Sequence, residues 1–311
     1  MKKVLFATTA LVLSAGFASA DVTLSGYGRF GLQYNDGRTT AGVFDPTLAE
    51  TTVESRMRLN IDASKETDGG VTFGGRIRVQ YDNDSASGSS DLNAAMMYAS
   101  FGGFRMEVGN ANQAMDSAPL VYASELGLVS SSFGDIQSGF FAYNTGAYSD
   151  TNRMGVSASY SMGAFSGMVS YINPDQTLKS LGARKAESSL YVAYASGPLT
   201  VSAAGTWNAK GVDGADIAFI GAAYQVNDAV NVGLNYTDEL VGETIVGYGS
   251  YKMGATTLRG YIANNSAAGN ATDTAYGIGA DYDLGGATLL GGIQKGYAKE
   301  TVADFGVKFA F

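Results

Sequence analysis

The chain has 311 residues but contains no cysteine and no histidine. It therefore offers no disulfide, no Cys/His or Ser/His/Asp nucleophilic centre and no histidine-ligated zinc site. These absences remove the chemistry on which most enzyme classes depend. A chain of this length without cross-links must be held together by a large core or by a closed hydrogen-bonded sheet.

Charged residues and long apolar runs are scarce as well. Only 16% of the residues are charged, and acidic residues outnumber basic ones by 29 to 20. Nucleic-acid binding is not expected on that balance, because phosphate contacts need a clustered basic surface. Beyond residue 20, no segment has the roughly 18 consecutive apolar residues of a membrane-spanning helix.

The first 20 residues have the pattern of a secretory signal. The segment MKKVLFATTALVLSAGFASA begins with Lys2 and Lys3, continues with a short apolar stretch and ends in small residues. This order is typical of a signal peptide, which we expect to be cleaved after Ala20. The predicted mature chain, residues 21–311, is a single domain. Without the two lysines it has 18 basic and 29 acidic residues, a net charge of −11.

Apolar and polar residues alternate along much of the mature chain. In VESRMRLNIDA, residues 53–63, Met57, Leu59 and Ile61 fall on one face and polar residues on the other, as expected for a strand. Sixteen such runs, joined alternately by short turns and longer loops, are predicted to be strands. They lie near residues 22–35, 53–65, 71–82, 93–101, 104–110, 153–162, 165–173, 187–196, 199–208, 216–226, 229–237, 243–252, 256–264, 273–283, 287–296 and 300–311.

An even number of strands about ten residues long is typical of a transmembrane β-barrel. A soluble β-sandwich is the alternative, since its strands alternate too. The aromatic residues favour the barrel, because they cluster at the two strand ends, where a membrane has its two interfaces. The cluster near the long loops is Tyr34, Tyr81, Tyr171, Trp207 and Tyr236. We therefore predict an all-β, 16-stranded antiparallel transmembrane β-barrel, apolar towards lipid and polar towards a wet lumen.

One connection is much longer than the others. It spans 42 residues, 111–152, between the fifth and sixth predicted strands. Loops of this length are usually functional or disordered. This loop is rich in Phe, Tyr, Leu and Val, so it has apolar side chains to pack against something. We expect it to fold into the barrel lumen.

Basic residues of the first three strands point into the predicted lumen. They are Arg29, Arg56, Arg58, Arg76 and Arg78. Such a cluster repels itself unless water or opposite charge intervenes. The inserted loop would supply opposite charge across a narrow gap, and the two sets would then form a charged constriction. The loop carboxylates are Asp116, Glu125 and Asp135. Alternatively, the arginines pair with the wall residues Glu54, Asp62 and Asp82.

Several stretches resemble the general diffusion porins of the Rhodobacter type. They are DVTLSGYGRFGLQYN at the predicted mature start, SRMRLNI, DIAFIGAAY, DTAYGIGADYDLGGA and the ending ETVADFGVKFAF. The similarity runs over essentially the whole mature chain. Its specific feature is the terminal Phe311, since outer-membrane barrels widely end in an aromatic residue. The resemblance implies a multi-pass protein of the Gram-negative outer membrane that passes ions and small polar solutes.

The resemblance also implies partners. It implies a homotrimer, surrounded by outer-membrane lipids, that packs through residues 22–110 and 300–311, with the loop 83–92 reaching a neighbour. It assigns the inserted loop and the basic wall to the constriction. Some members carry enough acid on this loop to hold calcium, whereas here the loop has only Asp116, Glu125, Asp135 and Asp150. We expect no cofactor, with calcium as the alternative.

Two other functions remain as alternatives. A substrate-specific channel on the same barrel usually has a run of aromatic residues along its lumen, but the predicted inward positions here are mainly Ser, Thr, Asn and Arg. An outer-membrane barrel enzyme of the protease or phospholipase kind generally depends on histidine. We therefore expect a channel and not an enzyme, and its preference for anions or cations stays open.

Overall fold

The computed structural model describes residues 21–40, 42–83, 91–145 and 152–311. The predicted signal segment 1–20, residues 84–90 of the second long loop and Asp150 lie outside the described residues. The barrel strands are Asp21–Asn35 (β1), Thr51–Glu66 (β2), Thr72–Asp82 (β3), Met96–Phe101 (β4), Phe104–Gly109 (β5), Met154–Met162 (β6), Phe165–Asn173 (β7), Glu187–Ser196 (β8), Leu199–Trp207 (β9), Ile217–Gln225 (β10), Val230–Glu239 (β11), Gly242–Met253 (β12), Thr256–Asn265 (β13), Thr274–Asp283 (β14), Ala287–Lys295 (β15) and Thr301–Ala310 (β16).

These strands form one closed antiparallel sheet. Each strand pairs with the next in the chain, and β1 pairs with both β2 and β16. Backbone hydrogen bonds between Gly26 and Phe311 complete the last pairing, at 2.8 and 3.1 Å. The prediction of a 16-stranded antiparallel barrel is confirmed. In the described part of the chain, no helix is long and apolar enough to cross a bilayer.

The two faces of the wall differ as the alternation predicts. Leu24, Phe30, Met57 and Ile278 point outwards and are each more than half exposed. A soluble protein rarely leaves so broad an apolar surface to water. The inward face carries Ser, Thr, Asn, Arg and carboxylate side chains. Lipid therefore meets the outer face, and the enclosed space is polar.

Strand β4 is shorter than predicted, starting at Met96 and not at residue 93. Residues 91–92 still pair with β3. At Asn93, however, a side-chain oxygen takes the place of a backbone carbonyl as the acceptor for β3. Its Oδ1 accepts the N–H of Arg78 at 2.6 Å, while its own N–H donates to the carbonyl of Arg78 at 2.9 Å. The wall at β4 and β5 is consequently only six residues tall.

The chain between β5 and β6 folds into the barrel, as predicted. Its described part packs on the inner wall through two apolar clusters. In the first, Met115 and Val121 of the loop contact Phe219 of β10. In the second, Leu126 of the loop packs with Val246 and Tyr261 of β12 and β13. The loop thus shares an apolar core with the wall from β10 to β13.

Candidate functional site

Wall carboxylates hold the inserted loop by accepting its backbone N–H groups. Glu187, only 1% exposed, accepts the N–H of Phe141 at 2.9 Å. Asp304 accepts the N–H groups of Leu128 and Val129 at 2.7 and 3.1 Å. A carboxylate accepting backbone N–H groups forms charge-assisted hydrogen bonds, which are stronger than neutral ones. The same arrangement recurs at Glu107, which accepts Asn112, and at Glu239, which accepts Gln137 and Ser138.

We expect Glu187→Ala to release the loop around Phe141. The carboxylate also accepts the backbone N–H of Lys210 at 2.8 Å and the side-chain amide of Gln113 at 3.1 Å. Its removal would leave several buried N–H donors without an acceptor. The expected loss is on the order of 3–5 kcal/mol. Limited proteolysis in detergent should then cut within the loop. Glu66→Ala, which removes an exposed carboxylate at a short turn, is the control, and an equally resistant loop in both variants would contradict the anchoring role.

Two glycines on the strands that close the barrel, β1 and β16, let the loop lie directly on the wall. We call this closing pair of strands the seam. Gly31 of β1 and Gly306 of β16 face each other, and a Cβ on either would come within 2.6 Å of the Leu128 side chain. A Cβ on Gly31 would also collide with the backbone oxygen of Phe305. Larger residues at these two positions would therefore lift the loop off the wall. The glycine pair and the carboxylate of Asp304 together fix the height of residues 128–129.

The predicted basic wall divides into two groups. Three of its five arginines form ion pairs with carboxylates of the wall. The pairs are Arg29 with Glu54 (Nε to Oε1, 2.7 Å), Arg56 with Asp82 (Nε to Oδ2, 2.6 Å) and Arg76 with Asp62 (Nε to Oδ1, 2.7 Å). This matches the alternative in which wall acids neutralise the arginines. For these three residues, the positive charge is compensated locally.

Arg29 differs from the prediction in a second way. Its side chain is 5% exposed, because the inserted loop covers it. One of its terminal nitrogens donates to the carbonyl of Val129 at 3.1 Å. The physical reason is the close packing of Leu128 on the glycine pair beside it, which brings the loop backbone onto the guanidinium. Arg29 therefore holds the loop and does not face the open passage.

Arg58 and Arg78 have no carboxylate partner among the described residues. Their Nε atoms donate to the amide oxygens of Gln80 and Asn60 at 2.6 and 2.7 Å. Each guanidinium also lies over a tyrosine ring, Arg58 at 5.0 Å from the centroid of Tyr27 and Arg78 at 4.6 Å from that of Tyr143. Amides and ring faces orient a guanidinium but leave its charge in place. These two arginines carry the uncompensated positive charge.

Sequence reasoning missed one cation of this wall. Lys308 of β16 lies opposite Arg29 in the register, and its Nζ is 4.9 Å from the centroid of Tyr27. Its inward position was available from the alternation of the last strand. The anchoring carboxylates were missed as well. These carboxylates are harder to recognise in the sequence. An inward carboxylate in a water-filled lumen is hydrated, so its position does not indicate that it binds the loop.

The three predicted loop acids lie in one stretch that faces the lumen. Tyr122 donates its hydroxyl to Asp116 at 2.7 Å, and the Ser124 hydroxyl donates to Asp135 at 3.1 Å. Burial raises the pKa of Glu125 to about 7, although Lys308 and Arg29 act in the opposite direction. Burial, and then repulsion from Glu125, raises the pKa of Asp135 to about 8. Part of the loop charge is therefore absent near neutral pH.

The lumen thus has a positive wall at β1 to β3 and a titratable acidic loop. Water and charged solutes between them experience a field across the passage, and opposed rings of charge are how channels select ions. Among the described residues, no three carboxylates converge so as to hold a metal ion.

Comparison with known proteins places the chain in a family. A family model described as Gram-negative porin matches residues 7–300. A protein named Porin from Fuscovulum blasticum is 43% identical over 300 residues, which cover 94% of this chain and 100% of that protein. A solved structure of a mutant Rh. blastica porin has 43% identity and a TM-score of 0.86, covering 93% of this chain and 100% of that one. Another mutant of that porin has 42% identity and a TM-score of 0.87 over the same shares. The chain therefore belongs to the Gram-negative porin family, as a multi-pass β-barrel of the outer membrane.

Proposed function

We propose that this porin is a general diffusion channel, in which ions and small polar solutes pass between the basic wall and the acidic loop. The single observation that carries this is the pair of uncompensated guanidiniums, Arg58 and Arg78, on the inner face of β2 and β3. The field from these charges orients water in the gap. An apolar solute must displace that water without replacing its hydrogen bonds, so polar solutes are favoured.

The test is conductance through planar bilayers, with neutral sugars of graded size as blockers. A general diffusion channel is expected to give ohmic currents. Sugars small enough to enter the lumen should lower the current, and this reduction should change smoothly with the size of the sugar. A substrate-specific channel would instead saturate with one sugar at low concentration. Saturation by a single sugar, without block by others of equal size, would overturn the proposal.

The charge on the loop should make ion selectivity depend on pH. Glu125 and Asp135, with pKa values of about 7 and about 8, are mostly protonated at pH 6 and mostly ionised at pH 9. The loop therefore gains negative charge as the pH rises, and the preference for cations should rise with it. Reversal potentials in a salt gradient at pH 6 and pH 9 measure this change.

The matched control for this titration is the double variant Glu125→Gln with Asp135→Asn. It keeps the side-chain shapes but removes both ionisable groups. Its reversal potential should be nearly flat over the same pH range. An undiminished pH dependence in this variant would assign the titration to other groups.

We further propose that residues 1–20 are a signal peptide cleaved after Ala20, and that the mature protein has no catalytic activity. The charged start, apolar middle and Ala18-Ser19-Ala20 end support the cleavage site. Mass spectrometry of the protein extracted from outer membranes would give its first residue. A mature chain that starts elsewhere than Asp21 would contradict this assignment.

We propose that three copies assemble side by side through β2 to β5 and the seam. Supporting this, the six-residue strands β4 and β5 are shorter than the about 9–11 residues that a strand needs to cross a bilayer. The outer wall there has an apolar groove of about 690 Å³, lined by Ile61, Phe73, Met97 and Met106 among others. A neighbouring copy would cover this groove and complete the height of the wall. Sedimentation in detergent measures the number of copies.

A further inference from the structure

The two uncompensated arginines of the wall have similar partners but differ in burial. Each donates its Nε to a side-chain amide and lies over a tyrosine ring. Arg78 is nevertheless only 9% exposed, whereas Arg58 is half-buried. Covering a cation that has no carboxylate partner is unusual, because removing a charge from water is costly. The burial of Arg78 therefore calls for a specific covering group.

The covering group of Arg78 comes from the inserted loop. The ring beside Arg58 is that of Tyr27, a wall residue that lies directly opposite Arg58 in the register of β1 and β2. The ring beside Arg78 is that of Tyr143, and its centroid is 4.6 Å from the guanidinium carbon. Tyr143 belongs to the loop, which lies inside the barrel. This ring therefore covers Arg78 from the lumen, whereas Tyr27 contacts Arg58 within the wall.

Two buried asparagines hold Tyr143 in this position. The side-chain N–H groups of Asn93 donate to the hydroxyl of Tyr143 at 2.8 Å and to the carbonyl of Asn144 at 3.2 Å. Asn110 exchanges two hydrogen bonds with the backbone of Asn144, at 2.7 and 2.9 Å. Asn93 also accepts the backbone N–H of Arg78 at 2.6 Å. One side chain thus fixes both the strand that carries the cation and the ring that covers it.

We propose that Tyr143 is a specificity-determining residue of the channel, which acts by shielding Arg78 from passing anions. With the ring in place, an anion in the lumen stays on the far side of the ring, more than 4.6 Å from the guanidinium carbon. The attraction between two charges falls with their distance, and the negative charge density of the ring face repels the anion further. The loop therefore lowers the anion preference that two open arginines would give. The proposal rests on the proposed function, because it concerns the selectivity of that channel.

Removal of the ring should strengthen the preference for anions. We expect Tyr143→Ala to raise the anion-to-cation permeability ratio roughly threefold, because anions then reach the guanidinium of Arg78 directly. Tyr143→Phe keeps the ring face and should shift the ratio by much less. Reversal potentials across a salt gradient in planar bilayers, at one fixed pH, measure both. Tyr224→Ala, which removes a tyrosine from the outer face, is the matched control and should leave the ratio at the parent value.

A second background separates shielding from a change in the shape of the passage. In a protein that already carries Arg78→Gln, Tyr143→Ala should no longer move the permeability ratio, although a wider passage would still raise the conductance. The two effects are coupled only if the ring acts through the cation. An equal shift in both backgrounds, or no shift in the parent background, would overturn the proposal. Tyr143→Leu, which keeps apolar bulk but has no ring, gives the same comparison if the alanine variant does not fold.

The support beneath the ring provides an independent test. Asn93→Ala removes the hydrogen bond to the Tyr143 hydroxyl, so the ratio should shift in the same direction as in Tyr143→Ala, but by less. A shift towards cations in Asn93→Ala would contradict the shielding role. The proposed function is tested separately, by the sugar series on the parent channel. Normal behaviour with sugars and a ratio that Tyr143→Ala does not change would reject only this inference.

Discussion

Deletion of residues 120–140 is expected to raise the single-channel conductance roughly twofold or more, because it widens the narrowest part of the passage. The deleted segment contains the loop acids Glu125 and Asp135 and the contacts of Leu128 with the glycine pair. The barrel should still close, since β1 to β16 hydrogen-bond to each other without the loop. Planar-bilayer recordings on refolded protein measure the change.

The control for the deletion keeps the loop but weakens its polar contacts. Asp304→Asn preserves the shape of the wall and the loop length, so its mean conductance should stay near the parent value while current noise rises. If the deleted protein folds and conducts as the parent does, the described loop does not limit the current. A chain that fails to fold would be recognised by loss of β-structure in circular dichroism, and the shorter deletion 120–127 would then replace it.

Replacing Arg58 and Arg78 together by Gln is expected to shift selectivity towards cations by roughly tenfold in the permeability ratio. A unit charge about 4 Å from an ion is worth about 1 kcal/mol in water, and two such charges are removed. Both side chains now donate to amides, so glutamine keeps local hydrogen bonding without the charge. The reversal potential across a salt gradient measures the shift.

The same wall supplies a charge-neutral control. Asp62→Asn with Arg76→Gln removes a compensated pair from neighbouring positions and leaves the net charge unchanged. Its reversal potential should match that of the parent. A comparable shift in both double variants would mean that local geometry, and not uncompensated charge, determines selectivity.

The barrel was predictable because its signal repeats along the chain. Met57, Leu59 and Ile61 indicate an outward face in a single stretch of sequence, and fifteen further runs repeat the pattern. The inserted loop was predictable from its length and its apolar content. The ends of the strands were less predictable. Strand β4 begins only at Met96, because the side chain of Asn93 accepts the N–H of Arg78 in place of a backbone carbonyl.

The neutralisation of the arginines depends on register, which alternation alone does not fix. In the hairpin of β2 and β3, Arg56 lies opposite Asp82 and Asp62 opposite Arg76, while Arg58 and Arg78 lie opposite amides. A slip of one residue would abolish every one of these pairs. The turn at residues 67–71 sets the register through a hydrogen bond from Thr67 to the carbonyl of Val71.

The anchors of the loop had no comparable signal. Asp304 and Leu128 are 176 residues apart, and nothing in the sequence near either predicts that they meet. Their contact depends on the closed barrel, which brings β16 beside β1 and beneath the loop. The constriction is therefore a property of the completed fold, whereas its charged residues are visible in the sequence.

The seam between β1 and β16 has a consequence for biogenesis. The first and last strands of the barrel are hydrogen-bonded neighbours, down to the pairing of Gly26 with Phe311. A partly synthesised chain therefore keeps two unsatisfied strand edges, which lipid cannot solvate. Closure of the barrel must wait until β16 has been synthesised and has crossed the inner membrane. A chain that ends before β16 leaves the edge of β1 without its partner strand and cannot close the barrel.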